Sequence, residues 1–282
     1  MPGTIMVCYD VETASQHTLG FFDGALAMHE QLDIPCTMFM TGTTMAACGE
    51  ACQAADQHPL VELGQHTYNH VLLKTIYMQP GDGKPCSHTD GAATFLNEGA
   101  DLETILTDIK RAQNLYEKLF GRTCRGLTAP WGAYRGLMDR PDILRILDQI
   151  GLKWIRSYSR DHRDCQPTPF DVQPFFYADQ GQPDLLEIPV QGYQDDFYWE
   201  RFDERSHGPD YADYLCWAID HVVANDLVWC VNSHDHDTET AEAFEAHKGV
   251  WLRAVLARAQ SAGARFMTCE GLYQERLARR EA

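Results

Sequence analysis

Four short stretches of the chain hold residues able to act on a polar bond. The run Tyr9-Asp10-Val11-Glu12 carries two carboxylates two positions apart. In an extended strand such residues face the same side. One can bind a cation while the other accepts a proton. The run His66-Thr67-Tyr68-Asn69-His70 pairs two histidines at four-residue spacing. On a helical turn that spacing puts both rings on one face, as a metal needs. Twelve histidines in 282 residues give about half a pair at this spacing by chance, so spacing alone makes no site. Thr67 stands where a zincin carries Glu, which excludes the His-Glu-x-x-His protease. Two histidines and a carboxylate leave open positions on a divalent ion, which acidifies a bound water and polarises a carbonyl. His234 lies in the run His234-Asp235-His236-Asp237. Its unperturbed pKa near neutrality suits proton delivery to a leaving amine. Asp161 is the candidate to orient it. The fourth stretch is Pro130-Trp131-Gly132. The remaining histidines, such as His17, His29, His58, His88, His162, His207, His221 and His247, read as surface or structural.

The elements that must carry these residues alternate in type. Short apolar runs predict strands at Thr4–Asp10, Cys36–Gly42, Leu60–His66, Cys124–Ala129, Lys153–Ser159, Leu185–Val190, Leu227–Ser233 and Arg265–Cys269. Longer amphipathic runs predict helices at Phe21–Leu32, Thr44–Ala55, Asp101–Phe120, Pro141–Ile150, Tyr211–Asn225 and Gly249–Ala262, with a closing helix after the last strand. Asp101–Phe120 shows the clearest stripe: Leu102, Ile105, Ile109, Ala112 and Leu115. Strands separated by helices imply βα units, a mainly parallel sheet and an α/β fold. Seven or eight units suggest a barrel, whose chemistry sits at the C-terminal strand ends. Asp10, Glu12, His66, His70, Pro130, Trp131, Asp161 and His234 all follow or close a strand. The chain reads as one domain over residues 1–282, with long loops near 71–100 and 161–213.

Composition narrows the partners. The formal net charge is −18. That opposes nucleic-acid binding, which needs a basic footprint, and docking on anionic membranes. No run approaches the roughly 18 apolar residues of a spanning helix. The first ten residues have no basic n-region and too short an apolar run for a signal peptide, so the expected compartment is the cytoplasm. None of the ten cysteines forms a Cys-x-x-Cys pair, and they read as reduced core residues. Asp161–Asp213 holds 13 Asp or Glu against 3 Arg, a local charge of −10, with ten aromatic residues. Phe175, Phe176, Tyr177, Tyr193, Phe197, Tyr198, Trp199 and Phe202 are among them. Beginning at the strand ends, this stretch is expected to wall the cleft, with aromatic faces for a ring and carboxylates for a cationic amine.

These runs, in this order, resemble the NodB-homology polysaccharide deacetylases, the carbohydrate esterase family 4 group. Tyr9-Asp10-Val11-Glu12 looks like the family's first motif, and His66-Thr67-Tyr68-Asn69-His70 matches its His-(Ser/Thr)-x-x-His in full. Thr128-Ala129-Pro130-Trp131-Gly132 is similar to Arg-x-Pro-(Tyr/Trp)-Gly, and Val231-Asn232-Ser233-His234 to the last strand ending in His. The resemblance implies a distorted (β/α)7–8 barrel and a metal-dependent hydrolase of amide carbon–nitrogen bonds, deacetylating or deformylating an N-acylated sugar or related small molecule. It implies Asp10 as base, His234 as acid, and Glu12, His66 and His70 as ligands of a divalent metal. Zinc is expected by ligand type, and iron, cobalt or nickel suit the same set. It gives the Trp131 N–H to the oxyanion. Thr128 and Pro130 are placed near the substrate. Thr128 replaces the family's Arg that pairs with the base, and Arg160 is the candidate to supply that charge. Glu12 replaces the commoner Asp. The alternatives are a metal-independent cyclic amidase, as among allantoinase-like relatives, or a non-catalytic barrel that binds a carbohydrate or amine. Nothing in the sequence sets the oligomeric state.

Overall fold

The computed structural model describes residues 3–79, 94–195 and 211–281. The expected α/β architecture is present. Strands β1 (Thr4–Val11), β2 (Cys36–Met40), β3 (Val61–Gln65), β6 (Gly126–Tyr134), β7 (Trp154–Arg160), β9 (Gln182–Glu187) and β10 (Val228–His234) form a parallel ladder. Its spatial order is β10-β1-β2-β3-β6-β7-β9, with β8 (Phe175–Tyr177) antiparallel to β9. The short β11 (Arg265–Phe266) pairs with the start of β1. A separate ribbon of β4 (Ile76–Met78) and β5 (Phe95–Asn97) lies in the first long loop. It escaped the sequence reading because its strands are only three residues long.

Side-chain alternation divides each strand between two clusters. On β1, Ile5, Val7, Tyr9 and Val11 join the core beneath the outer helices, whereas Met6 and Cys8 join an interior cluster with Phe39, Trp154, Val228 and Cys230. Strands buried on both faces read as nearly continuous apolar runs, as these do. Helix α1 (Gln16–Leu32), capped by the Ser15 hydroxyl, brings Phe21, Phe22, Ala25 and Met28 to the outer core. Helix α5 (Pro141–Ile150) packs Ile143, Leu144 and Leu147 beside Ile105 and Ile109. Helices α6 (Tyr211–Ala224) and α8 (Val250–Ser261), with the short α7 (Ala241–Phe244) between them in the chain, add Leu215, Ile219, Leu252 and Leu256. Helix α9 (Cys269–Glu281) sends Cys269, Leu272 and Tyr273 into the interior cluster. Gly126 gives room to the Trp154 ring, since a Cβ there would lie 1.9 Å from it.

The seam between β9 and β10 is joined by side chains. Gln173 Oε1 accepts from Val228 N at 2.8 Å, and Gln191 Oε1 accepts from Cys230 N at 3.3 Å. Both glutamine amides donate to the Val228 carbonyl at 3.0 Å. The Trp229 indole donates to the Gln191 backbone carbonyl at 3.0 Å. These bonds stand in for a strand ladder.

Two expectations need correction. The helix expected over Thr44–Ala55 is two, α2 (Gly42–Ala47) and α3 (Gly49–Asp56), broken at Cys48. On α4 (Leu102–Phe120) the buried face holds Ile105, Asp108, Ile109, Ala112, Gln113 and Tyr116, while Leu102 is exposed. Two polar residues thus share the inward stripe, and Asp108 has a task at the site.

Replacing Gln191 by Leu removes the partner of a buried N–H. Leaving that group unsatisfied should destabilise the protein by about 1–3 kcal/mol in denaturant unfolding. An unchanged unfolding midpoint would mean that the seam holds without it.

Candidate active site

The parallel ladder sets the strand ends side by side. Asp10 on β1 and His234 on β10 are register partners. Their facing atoms, Asp10 Oδ2 and His234 Nε2, lie 3.9 Å apart. Both line a cavity of about 150 Å³ together with Glu12, His66, His70, Thr128, Trp131, Arg156, Arg160, Gln194 and His236.

Asp10 is buried and accepts two bonds. Arg156 Nη1 donates to Oδ1 at 3.2 Å, and Asn232 Nδ2 donates to Oδ2 at 3.0 Å. Arg156 Nη2 also donates to Asn232 Oδ1 at 2.6 Å, which closes a three-residue ring. The guanidinium sits 4.6 Å from the centre of the Phe39 ring, within cation–π range. The charge expected from Arg160 therefore comes from Arg156. Thr128 and Arg156 are direct register partners on β6 and β7, so the cation lies one strand over at the same level. Arg160 instead donates to the carbonyls of Trp131, Gly132 and Asp164 at 2.8–3.2 Å.

Glu12, His66 and His70 converge. Glu12 Oε2 lies 3.1 Å from His66 Nε2 and 3.0 Å from His70 Nε2. Two ligands at tetrahedral zinc stand about 3.3 Å apart, from bond lengths of about 2.0–2.1 Å. The His66 tautomer fits as well. Its Nδ1–H donates to the Thr128 carbonyl at 2.9 Å, so a neutral ring turns the Nε2 lone pair toward a carboxylate that can only accept. That pairing calls for a cation or a proton between them. Burial opposes ionisation of Glu12, but hydrogen bonds from His236, His66 and His70 outweigh it and hold its carboxyl well below the usual carboxylate range. Burial likewise opposes charge on His66, and Glu12 with Asp10 raises its pKa. The residues thus fit a divalent ion.

The histidine pair does not lie on a helical turn. Thr67 and His70 both take left-handed backbone, at φ 58°. The loop is held by Asp108 of α4, whose carboxylate accepts from Tyr68 N at 2.6 Å, Asn69 N at 3.1 Å and Asn69 Nδ2 at 2.6 Å. Left-handed non-glycine residues are uncommon and cluster where surrounding structure over-determines them.

The Pro130-Trp131-Gly132 stretch is a bulge in β6, with a register shift between Thr128 and Ala133. Trp131 and Gly132 have φ of 65° and 56°. A Cβ at Gly132 would meet Ser159 Oγ at 1.9 Å, so only glycine fits. Ser159 Oγ donates to the Trp131 carbonyl at 3.0 Å, which fixes this peptide. The Trp131 ring stacks on Phe95 at 5.9 Å. Thr128 and Trp131 line the cavity, whereas Pro130 lines a smaller neighbouring one with Leu73 and Lys74.

The orienting carboxylate of His234 is Asp195, not Asp161. Asp195 Oδ1 accepts from His234 Nδ1 at 2.8 Å. Its Oδ2 accepts from Ser233 Oγ at 2.7 Å, from His234 N at 3.2 Å and from Lys248 Nζ at 3.4 Å. Burial opposes its charge, but His234 and Lys248 hold the carboxyl well below its usual range. Lys248 is buried in a five-residue π-helical turn, Glu245–Gly249, a distortion often found at functional sites. Asp161 turns back on its own loop and accepts from Arg163 N, Cys165 N and Arg163 Nε.

Of the acidic stretch, Val190, Gln194 and Asp195 reach the site. Phe175 and Tyr177 pack in the core beside Leu137, Phe176 against Tyr273, and Tyr193 against Tyr214. These rings do not line the cavity. Phe197, Tyr198, Trp199 and Phe202, like Cys86, His88 and His207, lie outside the described residues. His29 is structural as expected, buried between Tyr9 OH at 2.9 Å and the Ile34 carbonyl at 2.7 Å.

Arg156, Asp195 and His236 were missed. Arg156 had a signal, a charge in the middle of a strand at the parity of Trp154. His236 had one too, sharing the parity of His234. Asp195 had none, being one carboxylate among 13 in its stretch.

The polysaccharide deacetylase family model matches residues 2–155. The chain belongs to the polysaccharide deacetylase family. That places it among hydrolases acting on carbon–nitrogen bonds other than peptide bonds. No curated protein sequence matches it. Solved structures share its fold at low identity. A Mycobacterium smegmatis protein assigned as a polysaccharide deacetylase is 14% identical with a TM-score of 0.63, covering 99% of this chain and 92% of that one. The Puue allantoinase is 12% identical with a TM-score of 0.66, over 96% and 89%. A mutant of peptidoglycan deacetylase PdaC from Bacillus subtilis is 14% identical with a TM-score of 0.52, over 100% and 94%. The distorted (β/α) barrel of this deacetylase family accounts for the parallel ladder. Among the described residues, no helix is long and apolar enough to cross a membrane.

Arg156→Met strips the guanidinium from a buried carboxylate. Breaking such a pair costs about 3–5 kcal/mol, so denaturant unfolding should show a loss of that size. A loss under about 1 kcal/mol would mean that Asp10 does not depend on Arg156.

Proposed function

We propose that this deacetylase-family protein is a metal-dependent hydrolase that removes the acyl group from the nitrogen of an N-acylated sugar or related small molecule. One observation carries the reading: Asp10 and His234 face each other at 3.9 Å in the same cavity as the converging Glu12, His66 and His70. A divalent ion, zinc by donor type, would be held by those three and would acidify water and polarise the amide carbonyl.

The chain's own residues divide the remaining work. Asp10 accepts the proton of the attacking water, its carboxylate held in place by Arg156 and Asn232. The Trp131 N–H, on its fixed bulge, assists the oxyanion. His234 donates its Nδ1–H to Asp195, which leaves Nε2 turned toward Asp10 and the cavity. As the imidazolium it passes its Nε2 proton to the departing amine, and the proton that Asp10 took from water, 3.9 Å away, restores it. Lys248 and Ser233 keep Asp195 ionised and oriented. Thr128 anchors His66 through its carbonyl, and Arg160 holds the Trp131–Gly132 peptide.

Residues 1–282 are read as one catalytic domain, since β10 and β11 from the far end pair with β1. The compartment is read as the cytoplasm, where free thiols such as Cys8 and Cys269, 3.7 Å apart, persist.

The test is release of acetate or formate from a panel of N-acylated amino sugars. His234→Ala and Asp195→Asn should each lower kcat by about 10²–10⁴, the usual contribution of a positioned acid. Chelation should abolish turnover and zinc should restore it. Turnover that survives stoichiometric metal removal points to the cyclic amidase instead. Ligand binding with no turnover in the parent protein points to a binding barrel.

A further inference from the structure

The run His234-Asp235-His236 follows β10, and each side chain meets a different part of the β1 end. His234 faces Asp10. Asp235 is buried and accepts from Glu12 N at 3.0 Å and Thr13 N at 3.2 Å. It also accepts from the hydroxyls of Thr13 at 2.8 Å and Thr18 at 2.5 Å. His236 reaches the Glu12 side chain, with Nε2 3.3 Å from Oε1. His66 and His70 meet the other oxygen, Oε2. Both carboxylate oxygens and the backbone N–H of Glu12 are therefore held. An ionised carboxylate only accepts, so the His236 Nε2–H is the donor.

The ligand atoms of Glu12, His66 and His70 lie within 4.8 Å of one another, and His236 is not of that group. It meets the carboxylate oxygen that His66 and His70 do not. An aspartate at position 12, one methylene shorter, would draw its carboxylate back from His236.

We infer that His236 is a positioning residue for Glu12. It holds Oε1 so that Oε2 stays turned toward His66 and His70. Glu12 and His236 act as one unit. The inference rests on the reading of Glu12, His66 and His70 as metal ligands. Groups that orient a ligating side chain are typically worth 10–100-fold in metal affinity.

The test measures Zn²⁺ affinity of the metal-stripped protein by competition with a chromophoric chelator, with no substrate present. His236→Ala should weaken zinc binding about 10–100-fold. His236→Gln, whose amide N–H can donate to Oε1, should stay within about threefold of the parent. Glu12→Asp should also weaken binding, and adding His236→Ala to it should cost no more than about threefold further, since coupled residues are not additive. Circular dichroism checks that each variant is folded. Additive losses, parent-like affinity in His236→Ala, or a His236→Gln loss as large as that of Ala overturn the inference alone. A parent protein that takes up no zinc overturns the ligand set and the inference with it.

Discussion

Asp10 and His234 meet because β1 and β10 run parallel in fixed register. In a parallel ladder, strand ends of like direction lie together, and alternate residues point to one side. On β1 that side carries Met6 and Cys8 into the interior and then Asp10. On β10 it carries Val228, Cys230, Asn232 and His234. On β7 it carries Trp154 and then Arg156. Apolar residues thus fill the lower interior and charged ones the upper. A slip of one residue in any of these strands would turn its contribution outward.

Charges placed in the interior require partners there. The Arg156 guanidinium and the Asn232 amide surround Asp10, and His234, Ser233 and Lys248 surround Asp195. Each carboxylate is satisfied by groups from a different strand or turn, which ties the site's geometry to the fold. Exposed pairs such as Arg258–Asp220 sit in high dielectric and are worth little. The buried pairs differ because their charges have lost water.

The loops that line the cavity carry local strain that the scaffold holds. Thr67, His70 and Trp131 are left-handed without being glycine. Asp108 of α4 fixes the first loop, and Ser159 with Arg160 fixes the bulge at Trp131. The seam of the sheet is joined in a similar way, with Gln173 and Gln191 side chains meeting backbone groups of β10. Polar side chains do the work of regular structure where regular structure ends.

The apolar runs and amphipathic stripes were enough to name the fold class and most elements, because burial on two faces or one leaves a period in the chain. The four motif runs made Asp10, Glu12, His66, His70, Trp131 and His234 candidates through their resemblance to a family, and the structure brings all six to one cavity. Which residues serve them depended on contacts between strands far apart in sequence. Thr128 lacks the charge its motif commonly carries, and only the β6–β7 register reveals Arg156 beside it. Asp161 and Asp195 are alike as sequence, yet one turns back on its own loop and the other lies 2.8 Å from His234. Local periodicity is written along the chain, whereas the pairing of buried charges is decided where separate strands close on one another.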